Sequence, residues 1–234
     1  MTNQSHDWVV ISISVMPLKT FFNLPPQRQQ LITEVAINEF ANHSYEAASI
    51  SSIVNEAKIA KGSFYQYFEN KQDLYLYLVD RALEERDAFI VRADLPSIHM
   101  GFFVYLRALF QVVLEFQLAN PAYTQILFRT PNHGDLPFRE EVFKRTKAAL
   151  TDFMRLRIQQ GIALGQLAAD LNPDIAAFII VTLASELRRF IPAYLGLTVK
   201  PLVKEDPELN QDAIDKIMDE FISTLEHGMA RRDF

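Results

Sequence analysis

The sequence predicts an all-α fold of about nine helices, and three observations carry that expectation. Glycine is scarce, with 7 in 234 residues, whereas all-β chains and phosphate-binding loops draw on it for turns with positive φ. A capping residue followed by proline recurs as Asn120-Pro121, Asn172-Pro173 and Asp206-Pro207. Proline is tolerated at a first helical position because the N–H it lacks has no intrahelical partner there. Between these breaks the apolar period is helical: Ile32, Val35, Ala36 and Phe40 share one stripe, and Ile50, Ile53, Val54 and Ala57 another. At 49 % hydrophobic the chain can bury a sizeable core.

Residues 1–24 read as an N-terminal extension, disordered or in part preceding a native start at Met16. The apolar run over 8–16 is far short of the roughly 20 residues that span a bilayer. No basic residue precedes it, as a signal peptide would require. Helices are then expected over 26–42, 50–57, 61–67, 71–93, 97–119, 121–130, 137–161, 173–195 and 207–231. The first three are short and tightly joined, so a small head over 25–72 sits on a larger helical body over 73–234. Residues 200–206, rich in proline and charge, read as a loop.

Chemistry concentrates over 49–74. Two short helices flank the turn Lys58-Ile59-Ala60, with Ser49 placed to cap the first and Ile59 to plug the crossing, which is a helix-turn-helix pattern. In the second helix Phe64 and Phe68, four apart, face inward. Lys61, Ser63, Gln66 and Tyr67 then project outward, with Tyr65 near the edge. A cation, hydroxyls, an amide and phenols on an exposed short helix suit a DNA major groove. Asn70 is placed to cap the next helix, with Asp73 able to reach back to it. That puts Lys71 in the first turn, where a bound phosphate would offset its unfavourable interaction with the helix dipole.

The residues Tyr45-Glu46-Ala47-Ala48-Ser49-Ile50-Ser51-Ser52-Ile53-Val54 and Lys61-Gly62-Ser63-Phe64-Tyr65-Gln66-Tyr67-Phe68, continuing to Lys71 and Leu74, resemble the N-terminal domain of TetR-family transcriptional regulators. The close resemblance covers about residues 27–78. It implies a three-helix DNA-binding domain in which Lys61, Gly62, Ser63, Gln66 and Tyr67 approach base edges and nearby phosphates. Ser49, Ser51, Tyr65 and Lys71 would hold the DNA backbone. Gly62 has a physical reason of its own, since a helix start without a side chain can come close to DNA. Three positions depart from the family pattern. Lys58 replaces a usual glycine, Ala60 a usual capping Ser or Thr, and His43-Ser44 a usual glycine turn, where His43 is expected to adopt left-handed geometry.

The body is rich in aromatic side chains, as apolar ligand pockets are. Phe103, Phe110, Phe128, Phe153 and Phe178 are the expected lining, with Arg107, Glu115, Tyr123 and Arg157 as polar groups able to orient a ligand. The eighth helix is apolar almost all round and the ninth repeats apolar residues at helical spacing. Together they resemble the family's four-helix dimer interface, here assigned to Ala176, Ile180, Leu183, Ile217, Phe221 and Leu225.

The resemblance implies a homodimeric, cytoplasmic repressor released from a double-stranded operator when a small apolar or amphipathic effector moves the fourth helix. An activator of the same fold, or an aromatic-pocket carrier without a DNA role, are the alternatives. No metal, cofactor or membrane partner is implied, and no enzyme motif is present: there is no Gly-x-Ser-x-Gly, no His-Glu-x-x-His, and the five histidines are isolated. With no cysteine, thiol nucleophiles and cysteine-ligated metals are excluded, which fits a reducing compartment. The net charge of −6 opposes general polyanion binding. Residues 17–71, however, carry five basic and five acidic side chains and are neutral, so the acidic excess lies outside the head.

Overall fold

The computed structural model describes residues 17–132, 136–196 and 211–229, which are helical and contain no strand. The run over 8–16, the alternative start at Met16, the 200–206 loop and the Asp206-Pro207 cap lie outside the described residues.

The head begins earlier than the sequence reading places it. Lys19–Phe22 forms a short helix, α1, and Phe21 is fully buried in a cluster with Tyr67, Phe68 and Tyr77. A single buried phenylalanine has no periodicity, which is why the helix left no trace in the pattern. The main head helices follow the expectation closely: α2 Pro26–Asn42, α3 Ile50–Glu56 and α4 Lys61–Tyr67. The carboxylate of buried Glu39 clamps α2 to α3, accepting from the Ser49 N–H at 2.8 Å and the Ser52 hydroxyl at 3.0 Å. Ser49 in turn caps α3 by accepting from the Ser52 N–H.

The turn between α3 and α4 is a Schellman motif. Ile59 N–H donates to the Val54 carbonyl at 3.0 Å and Lys58 N–H to that of Asn55 at 3.2 Å, with Lys58 at φ 52°. A lysine thus occupies the left-handed position at which glycine is easiest to place. The same motif closes a body helix around Gly165, at φ 69°, where Gln166 N–H bonds to the Gly161 carbonyl at 2.9 Å. His43, by contrast, is extended at φ −122°, so the left-handed geometry expected there is not used. Its ring instead returns to the Glu39 carbonyl at 3.1 Å.

The connector α5, Lys71–Arg92, is capped by Asn70, whose side chain accepts from Asp73 N–H at 2.9 Å. Asp73 reaches one residue further back than expected, to Glu69 N–H at 3.1 Å. A 3₁₀ turn, Ile98–Met100, and Gly101 at φ 137° separate α5 from α6, Phe102–Ala119, splitting the helix expected over 97–119. α6 is apolar except for the stripe Arg107, Gln111 and Glu115, because α5, α7, α9 and α11 pack around its other sides. α7 is Pro121–Asn132. The next expected helix is interrupted as α8, Arg139–Phe143, a π segment, Lys144–Ala148, and α9, Ala149–Ala163. α10, Pro173–Tyr194, opens on Asn172, whose side chain accepts from the N–H groups of Asp174 and Ile175. α11 is Gln211–Met229.

Two cores organise the chain. One is centred on the head but includes Phe116, Ile126, Leu127, Phe138 and Val142 from the body. The other lies between α6, α9, α10 and α11. The border drawn at residue 72 therefore cuts the chain but not the packing.

Candidate nucleic-acid interface

α4 is a seven-residue helix with Phe64 fully buried, as is Phe68 just beyond its end, and the side pointing away from them is free. Lys61, Gly62 and Gln66 are exposed, Ser63 is half-buried, and Tyr65 stands out at 50 % exposure. Tyr67 does not project as expected: it is half-buried, its ring 6.0 Å from Phe21. The two tyrosines exchange the places read for them, because α1 covers the side on which Tyr67 lies. A Cβ added to Gly62 would meet nothing within 4 Å, so the protein itself does not require glycine there. Ala60 offers α4 no side-chain cap, a loss worth about 1 kcal/mol relative to Ser or Thr. Ser51 is exposed on α3.

Lys71 is committed inside the head. Its ammonium donates to the carbonyls of Tyr45 at 2.7 Å, Glu46 at 3.2 Å and Ala48 at 3.1 Å, and stands 4.6 Å from the centroid of the Tyr45 ring. An ammonium has three protons, and all three are matched. The phosphate contact expected of this side chain is replaced by a tie between α5 and the segment before α3.

The residues expected to line a ligand site scatter. Phe103 and Phe110 are buried in the body core. Phe153 packs against the same core, with the Arg157 guanidinium 5.0 Å from its ring and 5.9 Å from that of Tyr105, the guanidinium Nε being buried and unpartnered. Arg107 faces α11 instead, donating to Asp219 at 2.5 Å and lying 3.9 Å from Asp215. Glu115 is exposed and accepts a surface bond from Gln111. Tyr123 packs against the head core, and the Phe128 side chain lies outside the described residues. Phe178 is 64 % exposed.

Among the described residues a shallow cleft opens between α6 and α10, with room for little more than one water molecule. Phe110, Val113, Leu114, Gln117, Ala184 and Leu187 line it, and the Gln117 side-chain oxygen there is buried without a hydrogen-bond partner. Only Phe110 was among the expected lining. Gln117, an amide on the same side of α6 as Phe110, Val113 and Leu114, was the legible signal for the rest.

The outer face of α10 is also out of phase with the reading. Ala176 and Ile180 are buried within their own chain, as are Ile217 and Leu225 of α11, and the Phe221 ring packs on Phe110 at 5.7 Å. Leu183 is exposed, and it belongs to a stripe with Ile175, Phe178, Ile179, Phe190 and Tyr194. In a helix apolar on nearly every side, periodicity does not tell the inward face from the outward one.

With this geometry in place, comparison with known proteins decides the class. Residues 32–78 match bacterial regulatory proteins of the tetR family, and residues 100–230 match the tetracyclin repressor-like C-terminal domain. The chain belongs to the TetR family. It is 36 % identical to a TetR family transcriptional regulator from Chloroflexus aurantiacus J-10-fl, whose crystal structure matches 93 % of this chain and all of that one with a TM-score of 0.73. The HTH-type transcriptional regulator YhgD of Bacillus subtilis is 24 % identical over 195 residues, 83 % of this chain and 94 % of YhgD. A probable acrEF/envCD operon repressor of Escherichia coli is 27 % identical over 159 residues, 65 % of this chain and 70 % of the repressor. The protein is a DNA-binding transcriptional regulator whose head carries the helix-turn-helix.

Proposed function

We propose that this TetR-family regulator is a homodimeric repressor that leaves its operator when a small apolar or amphipathic molecule enters the body. One observation carries the reading: the head and body share a core. Phe138, at the start of α8, lies among Phe40, Tyr45 and Tyr75 of the head, its ring centroid 5.0 Å from that of Tyr45 and 5.7 Å from that of Tyr75. A ligand that displaces α7 or α8 must therefore move the head as well, and differential affinity for the two arrangements is what coupling requires.

The α6–α10 cleft has room for little more than one water molecule, far short of the roughly 300–1,000 Å³ of drug-sized sites, so entry of an effector parts these two helices. The buried Gln117 oxygen favours an effector with a hydroxyl or N–H donor. The apolar stripe on α10 supplies the self-complementary surface of a twofold dimer, and a dimer sets two α4 helices roughly 34–36 Å apart for successive major grooves. On DNA, Ser63 and Gln66 read base edges, Lys61 meets base edges and a nearby phosphate, Gly62 lets the helix start approach, and Ser51 and Tyr65 meet phosphates. Ser49, Tyr67 and Lys71 support these from within.

An electrophoretic shift with DNA from upstream of the protein's own gene tests the reading. A complex that weakens steeply with salt is expected. No shift, or one indifferent to salt, would contradict it.

A further inference from the structure

We propose that residues 18–22 are a positioning element for the recognition helix, with the Thr20 hydroxyl as its acting group. This rests on the reading of α4 as the base-contacting helix. α4 is too short to hold itself, and its first turn lacks a side-chain cap. Its last turn is secured from outside: Thr20 Oγ1 donates to the Gln66 carbonyl, and Leu18 N–H donates to the Tyr67 carbonyl at 2.8 Å. These are carbonyls that a helix end leaves without intrahelical donors. The donors come from a segment more than forty positions earlier in the chain.

Phe21 anchors that segment, with its ring centroid 5.1 Å from Phe68 and 5.4 Å from Tyr77, so the two donors are held in place. Thr20 itself is exposed, and no packing demands a hydroxyl there. The segment precedes residue 32, where the match to the family's DNA-binding domain begins. The acceptor of the Thr20 bond belongs to Gln66, the amide on the free face. Fixing this carbonyl fixes the direction in which the Gln66 side chain leaves the helix.

The test compares the full-length protein with its Thr20→Val and Thr20→Ser variants. Valine keeps the shape and removes the donor, and serine keeps the donor. Amide hydrogen exchange is read over residues 64–68, and affinity is read for two duplexes: one enriched by the wild type from a random pool, and a scrambled control. Thr20→Val should speed exchange about five-fold, as loss of one hydrogen bond predicts, and lower the preference for the enriched duplex several-fold. Affinity for the control should stay unchanged, and Thr20→Ser should restore both readouts. Unchanged exchange would overturn the proposal, and so would faster exchange with unchanged preference or a serine variant as impaired as valine. If the wild type enriches no duplex, the reading of α4 fails separately, and the exchange comparison alone decides the brace.

Discussion

Phe138 meets Tyr45 edge-on, its ring planes at 80° and its centroid 5.0 Å away, and Tyr45 presents its ring to the Lys71 ammonium at 4.6 Å. A side chain of the body thereby touches the residue that closes the head beneath α3. Aromatic pairs of this kind contribute about 0.5–1.5 kcal/mol beyond their burial. Phe138→Ala should cost about 3–5 kcal/mol and let head and body unfold in separate steps. Urea titration followed by fluorescence and by circular dichroism should give two midpoints where the wild type gives one.

Lys71 and Lys61 should separate in a salt titration. Lys71→Met keeps the stem and removes the three donors, and should lower stability by about 2 kcal/mol while the slope of log affinity against log salt stays that of the wild type. Lys61→Met, on an exposed position, should leave stability unchanged and reduce that slope by about one phosphate contact. A reduced slope for Lys71→Met would mean that its ammonium turns out to DNA.

Lys58 holds φ 52° in the turn. Glycine removes the steric cost of that conformation, about 1–2 kcal/mol, but adds unfolded-state freedom worth about 0.5–1 kcal/mol. Lys58→Gly should therefore stabilise the protein slightly, by about 0.5–1 kcal/mol. The Arg28 side chain bonds the Lys58 carbonyl at 2.6 Å, and this contact survives the change. A higher thermal midpoint in calorimetry checks it.

Asp80 of α5 and Arg145 of the π segment are joined at 2.7 Å, and Arg145 also holds Glu141 at 2.7 Å. Burial pushes the Asp80 carboxyl up to about 6, against the opposing attraction of Arg145 and with smaller upward contributions from Glu84 and Glu141. The folded protein keeps this proton up to about pH 6, whereas the unfolded chain releases it near pH 4. Stability from this group is therefore present in full below about pH 4, falls as pH rises through 4–6 and is flat above. Urea midpoints of the wild type and Asp80→Asn across pH 4–7 should differ in slope within that window and run parallel above it.

Phe178 is the most exposed aromatic on the outer stripe of α10. Phe178→Glu should convert a dimer to monomers in sedimentation velocity and abolish operator binding, with helix content unchanged. Persistence of the dimer would place the interface elsewhere.

How legible each feature was followed from the physics that set it. α2 starts at its prolines and α3 at its Ser49 cap, and these are local signals. The burial of Phe64 and Phe68 followed from their spacing of four. The inner role of Lys71 depends on three carbonyls 23–26 positions away, and α1 on one phenylalanine and a partner helix, so neither is local. The π segment was equally hidden, because Arg145 is drawn inward by Asp80 from another helix. On α10 the composition gave apolarity without direction. Phe178 was therefore read as lining and Ala176 as interface, the reverse of their exposures.

Selection of bound DNA from a random pool, followed by the mass of the complex in solution, tests the central claim most directly. Two chains on one duplex are predicted, with inverted half-sites whose centres lie about one helical turn, 34–36 Å, apart or a multiple of it. Enrichment of a single unrepeated site bound by one chain, or no enrichment at all, would contradict the account.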